Sequence, residues 1–197
     1  MAGLLIAFEG LDQSGKETQA QLLCEWLRQQ ARPVRFVSFP DYTTPIGQEL
    51  GRALQSERAY GPDVMQLLFV ANRYERGPEI ERWLADGCVV VCDRYRASSV
   101  AYGEAHGLDP GWLDDLQRFL PQPDLTLVLD IAPETALGRK TANRDRYERD
   151  LAMLGRVRAS YRRQAGQPGW VLVDGERSKA AVAGDVVSAV EPRLARP

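Results

Sequence analysis

The stretch "FEGLDQSGKETQ" at residues 8–19 has the glycine and lysine spacing of a phosphate-binding loop. Gly10, Gly15 and Lys16 match the pattern G-x-x-x-x-G-K, and the apolar run "GLLIA" precedes them. In such a loop, backbone N–H groups surround phosphate oxygens and the lysine adds a point charge. The alternative, a glycine turn with a surface lysine, fits the flanking strand and helix patterns less well. The triphosphate-binding site is therefore predicted to comprise Gly10, Asp12, Gln13, Ser14, Gly15, Lys16, Glu17 and Thr18.

The position after Lys16 departs from this pattern. A phosphate-binding loop usually has a Ser or Thr hydroxyl there to meet magnesium, and this chain has Glu17. Because Mg²⁺ accepts carboxylate oxygen, Glu17 is a candidate metal ligand; alternatively it turns into solvent and a water replaces it. Thr18 is a poor substitute, since the next helical position is rotated by about 100°. We expect Lys16 itself to lie on a solvated loop with little packing around it.

A second candidate lies at the end of the apolar run "VVVCD", where Asp93 and Arg94 follow one another. Ligands of open α/β sheets bind at the carboxyl ends of the strands. This position suits Asp93 to hold Mg²⁺ directly or through water, and Arg94 to bind a phosphate with its forked guanidinium. The alternative is a salt bridge at the end of a strand.

Two further segments have residues suited to binding. "LLFVANRYER" has a helical pattern with Phe69 and Arg73 four positions apart on one face, where the default expectation is a core Phe and a solvated Arg. The segment 139–163 is locally basic in a mildly acidic chain, which suits a lid over phosphates, although a charge run is more often a solvated helix face. We assign the lid to about 139–150. The basic residues are Arg139, Lys140, Arg144, Arg146, Arg149, Arg156, Arg158, Arg162 and Arg163.

The elements that must position these residues follow from the apolar pattern. Five short runs, "LLIAF", "VRFVSF", "VVVCD", "LTLVLD" and "WVLVD", are nearly continuous, as strands buried on both faces are. Helical patterns between them predict an α/β fold with a parallel sheet covered on both sides, in one domain over residues 1–197. The first helix is predicted to begin near Gly15. Its core-facing stripe is formed by Leu22, Leu23, Trp26 and Leu27.

Composition limits the classes of function. The chain has 197 residues and a formal net charge of -2, which argues against a general nucleic-acid binder and favours small-molecule partners. Cys24, Cys88 and Cys92 are too few for a disulfide framework, and we expect no metal site on them. The N-terminal stretch lacks a basic leader and is too short to span a bilayer, so we expect a cytoplasmic protein without a membrane partner. His106, near a predicted helix end, receives no role.

Five motifs, taken in order, resemble the thymidylate kinase family over nearly the whole chain. They are "FEGLDQSGK", "FPDYTTPIG", "LLFVANRYE", "DRYRASSVAY" and "RDRYE". The resemblance implies a P-loop nucleotide kinase fold with a five-stranded parallel sheet, helices on both faces and a basic lid. It also implies transfer of the γ-phosphoryl group of ATP to dTMP, with Mg²⁺, giving dTDP and ADP in a homodimer.

The resemblance further implies roles for single residues. Phe69 would stack on the thymine ring and Arg73 would donate to a thymine carbonyl, which distinguishes thymine from cytosine. Asp12 matches the carboxylate that accepts the sugar 3′-hydroxyl, and Arg94 the arginine on the monophosphate. Tyr102 matches an aromatic ring that crowds a 2′-hydroxyl. The other implied substrate-binding residues are Phe39, Pro40, Ser98, Ser99 and Tyr147.

Besides Glu17, two positions depart from the family pattern. Tyr42 takes a position where some members have an arginine for the monophosphate, and Gln13 replaces a basic residue that some members use as the catalytic cation. Candidates to supply that charge are Arg139, Arg144 and Arg146. Two alternatives stay open: a kinase for a different nucleoside monophosphate, and a nucleotide-binding regulator without turnover. The joint presence of Lys16, Asp93, Arg94 and a basic lid favours an enzyme.

Overall fold

The structure, a computed structural model, describes residues 3–139 and 150–194. All five apolar runs are strands, as predicted: β1 (Leu4–Gly10), β2 (Val34–Ser38), β3 (Val89–Asp93), β4 (Leu125–Asp130) and β5 (Trp170–Asp174). They pair in parallel in the order β2-β3-β1-β4-β5. The central strand β1 therefore ends between the carboxyl ends of β3 and β4. The expected burial on both faces holds for β1, β3 and β4 but is wrong for β2 and β5, which lie at the sheet edges and expose Arg35 and Leu172.

Helices connect the strands and cover both faces of the sheet. They are α1 (Lys16–Gln29), α2 (Pro45–Leu54), α3 (Pro62–Ala85), α4 (Arg96–Ala105), α5 (Pro110–Asp115), α6 (Pro133–Arg139), α7 (Leu151–Gln164) and α8 (Lys179–Leu194). Helices α1 and α8 pack on one face, and α3, α4 and α7 pack on the other. The predicted α/β architecture is thus confirmed.

Strand β1 illustrates why both faces are apolar. Successive side chains of a strand point to opposite sides. Ile6 and Phe8 belong to the core beneath α1 and α8, whereas Leu5 and Ala7 belong to the core beneath α3. All four side chains are at most 1% exposed, so the strand reads as a continuous apolar run rather than an alternating one.

The first helix begins where the glycine motif ends. Gly15 precedes Lys16 in the left-handed region with φ 93°, a backbone conformation that favours glycine. The helix starts at Lys16, which confirms the predicted start near Gly15. Along the predicted stripe, Leu23 and Leu27 are buried. Leu22 and Trp26 are only half-buried at the edge of that stripe, and Trp26 packs against the core.

The predicted lid at about 139–150 lies almost entirely outside the described residues, and so do Arg144, Arg146 and Tyr147. The basic residues that follow it belong to α7 and have structural partners. Arg158 forks onto Asp130 with two bonds of 2.7 and 2.8 Å, and Arg163 pairs with Glu104 of α4. These ion pairs connect α7 to the sheet and to α4.

The cysteines are free thiols inside the protein. Burial raises the pKa of Cys24 to about 11 and that of Cys92 further still, so both side chains are protonated at neutral pH. Within residues 3–139 and 150–194, no helix is both long and apolar enough to cross a lipid bilayer.

Candidate active site

The two sequence motifs meet where β1 and β3 end side by side. Phe8 of β1 pairs with Asp93 of β3, and the backbone N–H of Arg94 donates to the Phe8 carbonyl at 2.9 Å. The glycine loop leaves β1 just beyond this pairing. Parallel pairing therefore brings together the two candidate phosphate-binding segments, which lie about eighty residues apart in the chain.

The glycine loop is closely packed around its first glycine. Gly10 has φ 135°, and a Cβ there would lie 2.5 Å from the Leu129 carbonyl oxygen of β4, so no other residue fits without a shift of the backbone. Gln13 also has a positive φ of 65° and is exposed at the tip of the loop. The loop thus has the strained, glycine-dependent backbone that a phosphate cradle requires.

Lys16 is buried, and the expectation of a solvated side chain is wrong. It is 5% exposed, and its Nζ donates to the Leu11 carbonyl at 2.6 Å, because the side chain folds back over the curled loop. Burial is the main cause that lowers the pKa of Lys16 to about 8, and the nearby charge of Arg94 adds to it. Lys16 therefore lies at the centre of the loop.

Glu17 lies on the solvent side of α1. Its carboxylate is exposed, and its Oε1 accepts a hydrogen bond of 3.2 Å from Gln21 one turn later. Thr18 is exposed as well. This geometry corresponds to the solvent-facing alternative for Glu17.

Asp93 is the carboxylate best suited to a cation. It is 9% exposed; Oδ2 accepts from the Ser38 hydroxyl at 3.4 Å, and Oδ1 is buried without a partner among the described residues. An unpaired buried carboxylate oxygen beside a phosphate-binding loop fits Mg²⁺, which uses one or two carboxylates together with substrate phosphates and water. Within the described ranges, no three His, Cys, Asp or Glu side chains converge on a metal position.

A cavity of about 240 Å³ opens beside the glycine loop. Nine of the ten predicted substrate-binding residues line it, and the tenth, Tyr147, lies outside the described residues. The nine are Asp12, Phe39, Pro40, Phe69, Arg73, Arg94, Ser98, Ser99 and Tyr102. The cavity is also lined by Tyr42, which is 51% exposed, and by three residues that the sequence reasoning missed: Ser38, Leu54 and Gln66.

Helix α3 supplies one wall of this cavity through Gln66, Phe69 and Arg73. Arg73 is only 2% exposed, so the default expectation of a solvated charge is wrong. Its Nη1 donates to Ser99 Oγ at 2.9 Å and to Gln117 Oε1 at 3.2 Å, while Nε has no partner among the described residues. Burial lowers the pKa of Arg73 to about 10, which leaves it charged at neutral pH.

The opposite wall contains an ion pair with a tyrosine. Arg94 Nη2 lies 2.5 Å from Asp12 Oδ1, and the Tyr102 hydroxyl donates to Asp12 Oδ2 at 2.9 Å. Burial alone would raise the pKa of Asp12, but the charges of Arg94 and Lys16 hold it well below its usual range. The Arg94 guanidinium also lies 5.3 Å from the centre of the Tyr102 ring. The cavity and the glycine loop therefore share Asp12.

Glu9 is a further residue that the sequence reasoning missed. This carboxylate of β1 is fully buried, and its Oε1 accepts backbone N–H groups of Tyr95 at 2.8 Å and Ser98 at 3.2 Å, which anchors the start of α4. The signal available in the sequence was a carboxylate inside an apolar strand. A buried carboxylate needs several donors, and here they come from residues 86 and 89 positions away.

Of the three arginines considered as catalytic cations in the lid region, Arg139 is described. It is exposed at the end of α6, and its guanidinium bridges two segments: Nη1 donates to the Gln13 carbonyl and Nη2 to the Gly175 carbonyl, each at 3.0 Å. The charge of Arg139 therefore lies at the tip of the glycine loop, next to the position where Gln13 replaces a basic residue.

Comparison with known proteins agrees with this geometry. The family model for thymidylate kinase matches residues 8–186. The chain is 35% identical to the thymidylate kinase of Plasmodium falciparum over 95% of this chain and 90% of the relative. It is also 35% identical to that of Dictyostelium discoideum over 94% and 84%, respectively. The solved thymidylate kinase of Candida albicans superposes with a TM-score of 0.83 at 29% identity, covering 98% of this chain and 93% of that one. The chain belongs to the thymidylate kinase family.

Proposed function

We propose that this kinase transfers the γ-phosphoryl group of ATP to dTMP, with ATP on the glycine loop and dTMP in the adjoining cavity. The observation that carries the proposal is the lining of one cavity by nine residues chosen from the sequence. The same cavity shares Asp12 with the loop, so an acceptor and a donor phosphate would be neighbours. The names of the relatives, all thymidylate kinases, identify the acceptor.

The base of the acceptor would lie against α3. Phe69 is half-buried on the cavity wall and would stack on the thymine ring. Arg73 keeps an unpaired Nε–H and a full charge in that wall, which suits donation to a thymine carbonyl. Tyr102, hydrogen-bonded to Asp12, would lie beside the sugar, where the ring excludes a 2′-hydroxyl.

The reaction would depend on positioning and on charge. An oxygen of the acceptor phosphate attacks Pγ of ATP, and the bond from Pγ to the bridging β,γ-oxygen breaks, with little covalent work for the protein. Lys16 and the loop N–H groups would hold the β- and γ-phosphates, and Arg94 the acceptor phosphate. Arg139 would add charge at the loop tip; Arg144 and Arg146 remain candidates outside the described residues.

The residues present also fit Mg²⁺ as a cofactor with ATP. When bound, Mg²⁺ neutralises charge on the β- and γ-phosphates. Asp93 would hold it directly or through water with its unpaired Oδ1. Glu17 would join the metal's water shell by turning away from Gln21, or would stay in solvent. The first arrangement is the one we propose.

By resemblance, we also propose that the protein is a cytoplasmic homodimer. An apolar strip on α3 supports the dimer: Val64 is 37% exposed and Leu67 is 43% exposed, three positions apart on one face of the helix. Exposed aliphatic side chains at this spacing favour a contact between subunits.

A coupled assay of ADP release tests the function. With ATP and Mg²⁺, we expect dTMP to be the best acceptor among dTMP, dUMP, UMP, dCMP, AMP and GMP, with dUMP next. Equal turnover of UMP and dUMP would contradict the role given to Tyr102. Binding of nucleotides without turnover of any acceptor would instead favour a regulator.

A further inference from the structure

Two buried hydroxyls, those of Ser98 and Tyr161, lie between the Glu9 carboxylate and the Arg94 guanidinium. Ser98 Oγ donates to Glu9 Oε2 at 2.6 Å, and Tyr161 Oη donates to the same oxygen at 3.2 Å. From the other side, Arg94 Nη1 donates to Ser98 Oγ at 3.0 Å and to Tyr161 Oη at 3.3 Å. The Glu9 carboxylate and the Arg94 guanidinium are thus connected by hydrogen bonds through these two hydroxyls.

The carboxylate decides how these hydroxyls are oriented. A carboxylate only accepts hydrogen bonds and a guanidinium only donates them. Each hydroxyl has a single hydrogen, and donating it to Glu9 turns the oxygen lone pairs toward Arg94. With the opposite orientation, hydroxyl and guanidinium hydrogens would face each other. Glu9 therefore fixes the direction in which Ser98 and Tyr161 accept.

Tyr161 is itself held firmly. It is 1% exposed on α7 and packs in the core cluster that includes Leu11, Ala101 and Val157. Burial raises the pKa of the Tyr161 hydroxyl well above its usual value, so it keeps its proton in the neutral pH range. The ring therefore presents its hydroxyl from a rigid helix rather than from a loop.

Arg94 is held at its guanidinium by side chains of the glycine loop, α4 and α7. It lies between β3 and α4 with φ 61°, a left-handed conformation that is uncommon for a residue other than glycine. Asp12 and the Tyr102 hydroxyl hold Nη2, and the hydroxyl pair holds Nη1. Both ends of the fork are thus fixed by separate sets of partners.

We propose that Tyr161, oriented by Glu9, is a positioning residue for Arg94, holding its guanidinium in the plane that receives the phosphate of the nucleoside monophosphate acceptor. The inference rests on the proposed function, in which Arg94 binds that phosphate. In this role Tyr161 touches neither substrate: it acts only through Arg94.

The test compares two buried tyrosines, one whose hydroxyl is hydrogen-bonded and one whose hydroxyl is not. Tyr161→Phe removes a hydroxyl that donates to Glu9, accepts from Arg94 and lies 2.9 Å from Ser98 Oγ. Tyr95→Phe removes a hydroxyl that is also buried but has no hydrogen-bond partner among the described residues, in a side chain that is 0% exposed. Binding of dTMP and of thymidine to each variant is measured by calorimetry, together with the KM values for dTMP and ATP and the melting temperature.

We expect Tyr161→Phe to weaken dTMP binding and raise the KM for dTMP by about tenfold, the loss of about 1.4 kcal/mol from a misaligned charged contact. Thymidine binding and the KM for ATP should stay within about twofold, because thymidine lacks the phosphate. Tyr95→Phe should match the parent in both affinities and both KM values. Glu9→Gln, which offers the hydroxyls a donor, should give the same phosphate-selective loss.

Equal weakening of dTMP and thymidine in Tyr161→Phe would overturn the proposal, because a tyrosine that only supports the core affects the whole pocket. So would an unchanged dTMP affinity. Failure of the proposed function looks different: the parent would then prefer another acceptor. The same comparison is then made between that monophosphate and its nucleoside, since the phosphate is common to all of these acceptors.

Discussion

At the level of single residues, Arg73 combines deep burial with a retained charge. Its Nη1 is satisfied by Ser99 and Gln117, whereas its Nε–H is unpaired within the described part of the chain. An unpaired buried donor is costly unless a ligand meets it. A base carbonyl in the cavity would be such a ligand, which is why Arg73 is the residue that we expect to distinguish thymine from cytosine.

Replacing Arg73 by Lys keeps the charge but removes the planar fork. We expect the KM for dTMP to rise at least tenfold, corresponding to about 1.4 kcal/mol, with the KM for ATP nearly unchanged. Steady-state kinetics with each substrate varied provides the measurement. The matched control is Arg82→Lys on the same helix, where the side chain is 66% exposed. A comparable loss for ATP would indicate that Arg73 supports the fold instead.

Glu17 allows a prediction about magnesium. If its carboxylate joins the metal's water shell, Glu17→Gln should raise the Mg²⁺ concentration for half-maximal turnover, since a neutral amide attracts the cation less. Glu17→Thr should restore the usual hydroxyl and keep turnover within about tenfold of the parent, a window of about 1.4 kcal/mol. An unchanged Mg²⁺ requirement in the Gln variant would mean that Glu17 stays bonded to Gln21 in solvent.

At the level of elements, the wall of the cavity depends on how closely α4 approaches α3 and α5. Gly103 of α4 makes this approach possible: a Cβ there would lie 2.5 Å from Leu113 Cδ1 and 3.3 Å from Gln66 Cγ. Gln66 lines the cavity, so the packing of these helices and the shape of the site are linked.

Gly103→Ala should therefore destabilise the protein by about 1–3 kcal/mol through overpacking. It should also raise the KM for dTMP, because Gln66 must move. The control is Gly155→Ala on α7, where a Cβ meets nothing within 4 Å and the helix should gain about 0.5–1 kcal/mol. Urea denaturation of the two variants measures both effects. If Gly103→Ala and Gly155→Ala changed the stability equally, the Leu113 side chain would have moved aside at little energetic cost.

The contact between α4 and α7 should depend on pH through the Glu104 carboxyl. Glu104 accepts from Ser160 at 2.7 Å and pairs with Arg163. Burial opposes the shift, but these two partners hold the pKa of Glu104 below its ordinary 4.5. A carboxyl with a lowered folded-state pKa contributes stability that is complete above its unfolded value and is lost as pH falls through the folded one.

Glu104→Gln should thus lower the free energy of unfolding by about 1 kcal/mol at pH 7. The difference from the parent should narrow as the pH falls below 4.5, where the parent loses the same charge. Denaturation at pH 7 and at successively lower pH provides the comparison, with Glu79→Gln at the α3 salt bridges as a surface control. If the difference in free energy of unfolding between Glu104→Gln and the parent did not change with pH, the loss of stability would come from packing rather than from the charge.

At the level of the whole molecule, the proposed dimer depends on the exposed strip of α3. We expect Leu67→Asp to convert the dimer to a monomer in sedimentation experiments, because a buried charge at an apolar interface is unfavourable. Phe119→Asp is the control, since this side chain is 72% exposed and does not belong to α3. A parent that sediments as a monomer would contradict the dimer outright.

The sequence by itself determined the elements and the motifs. Strands β1, β3 and β4 are buried on both faces and mostly apolar, whereas the edge strands β2 and β5 expose Arg35 and Leu172. All five were still readable from short windows, as was the start of α1 after Gly15. The phosphate-loop spacing and the Asp93–Arg94 pair were local signals too. Their meeting at one edge of the sheet followed from parallel pairing, in which the carboxyl ends of strands lie together.

The tertiary structure alone decided which polar side chains are buried and what they contact. The sequence predicted solvated side chains for Lys16 and Arg73, because a charged residue is exposed by default when its partners are unknown. Their burial depends on those partners, such as the Leu11 carbonyl for Lys16 and Gln117, 44 positions away, for Arg73. Glu9 and Tyr161 are separated by 152 positions, and no local pattern joins them. A hydrogen-bond network of this kind forms only when the strands and helices pack together. Packing removes water from the polar groups, and each of them then needs a partner within the protein.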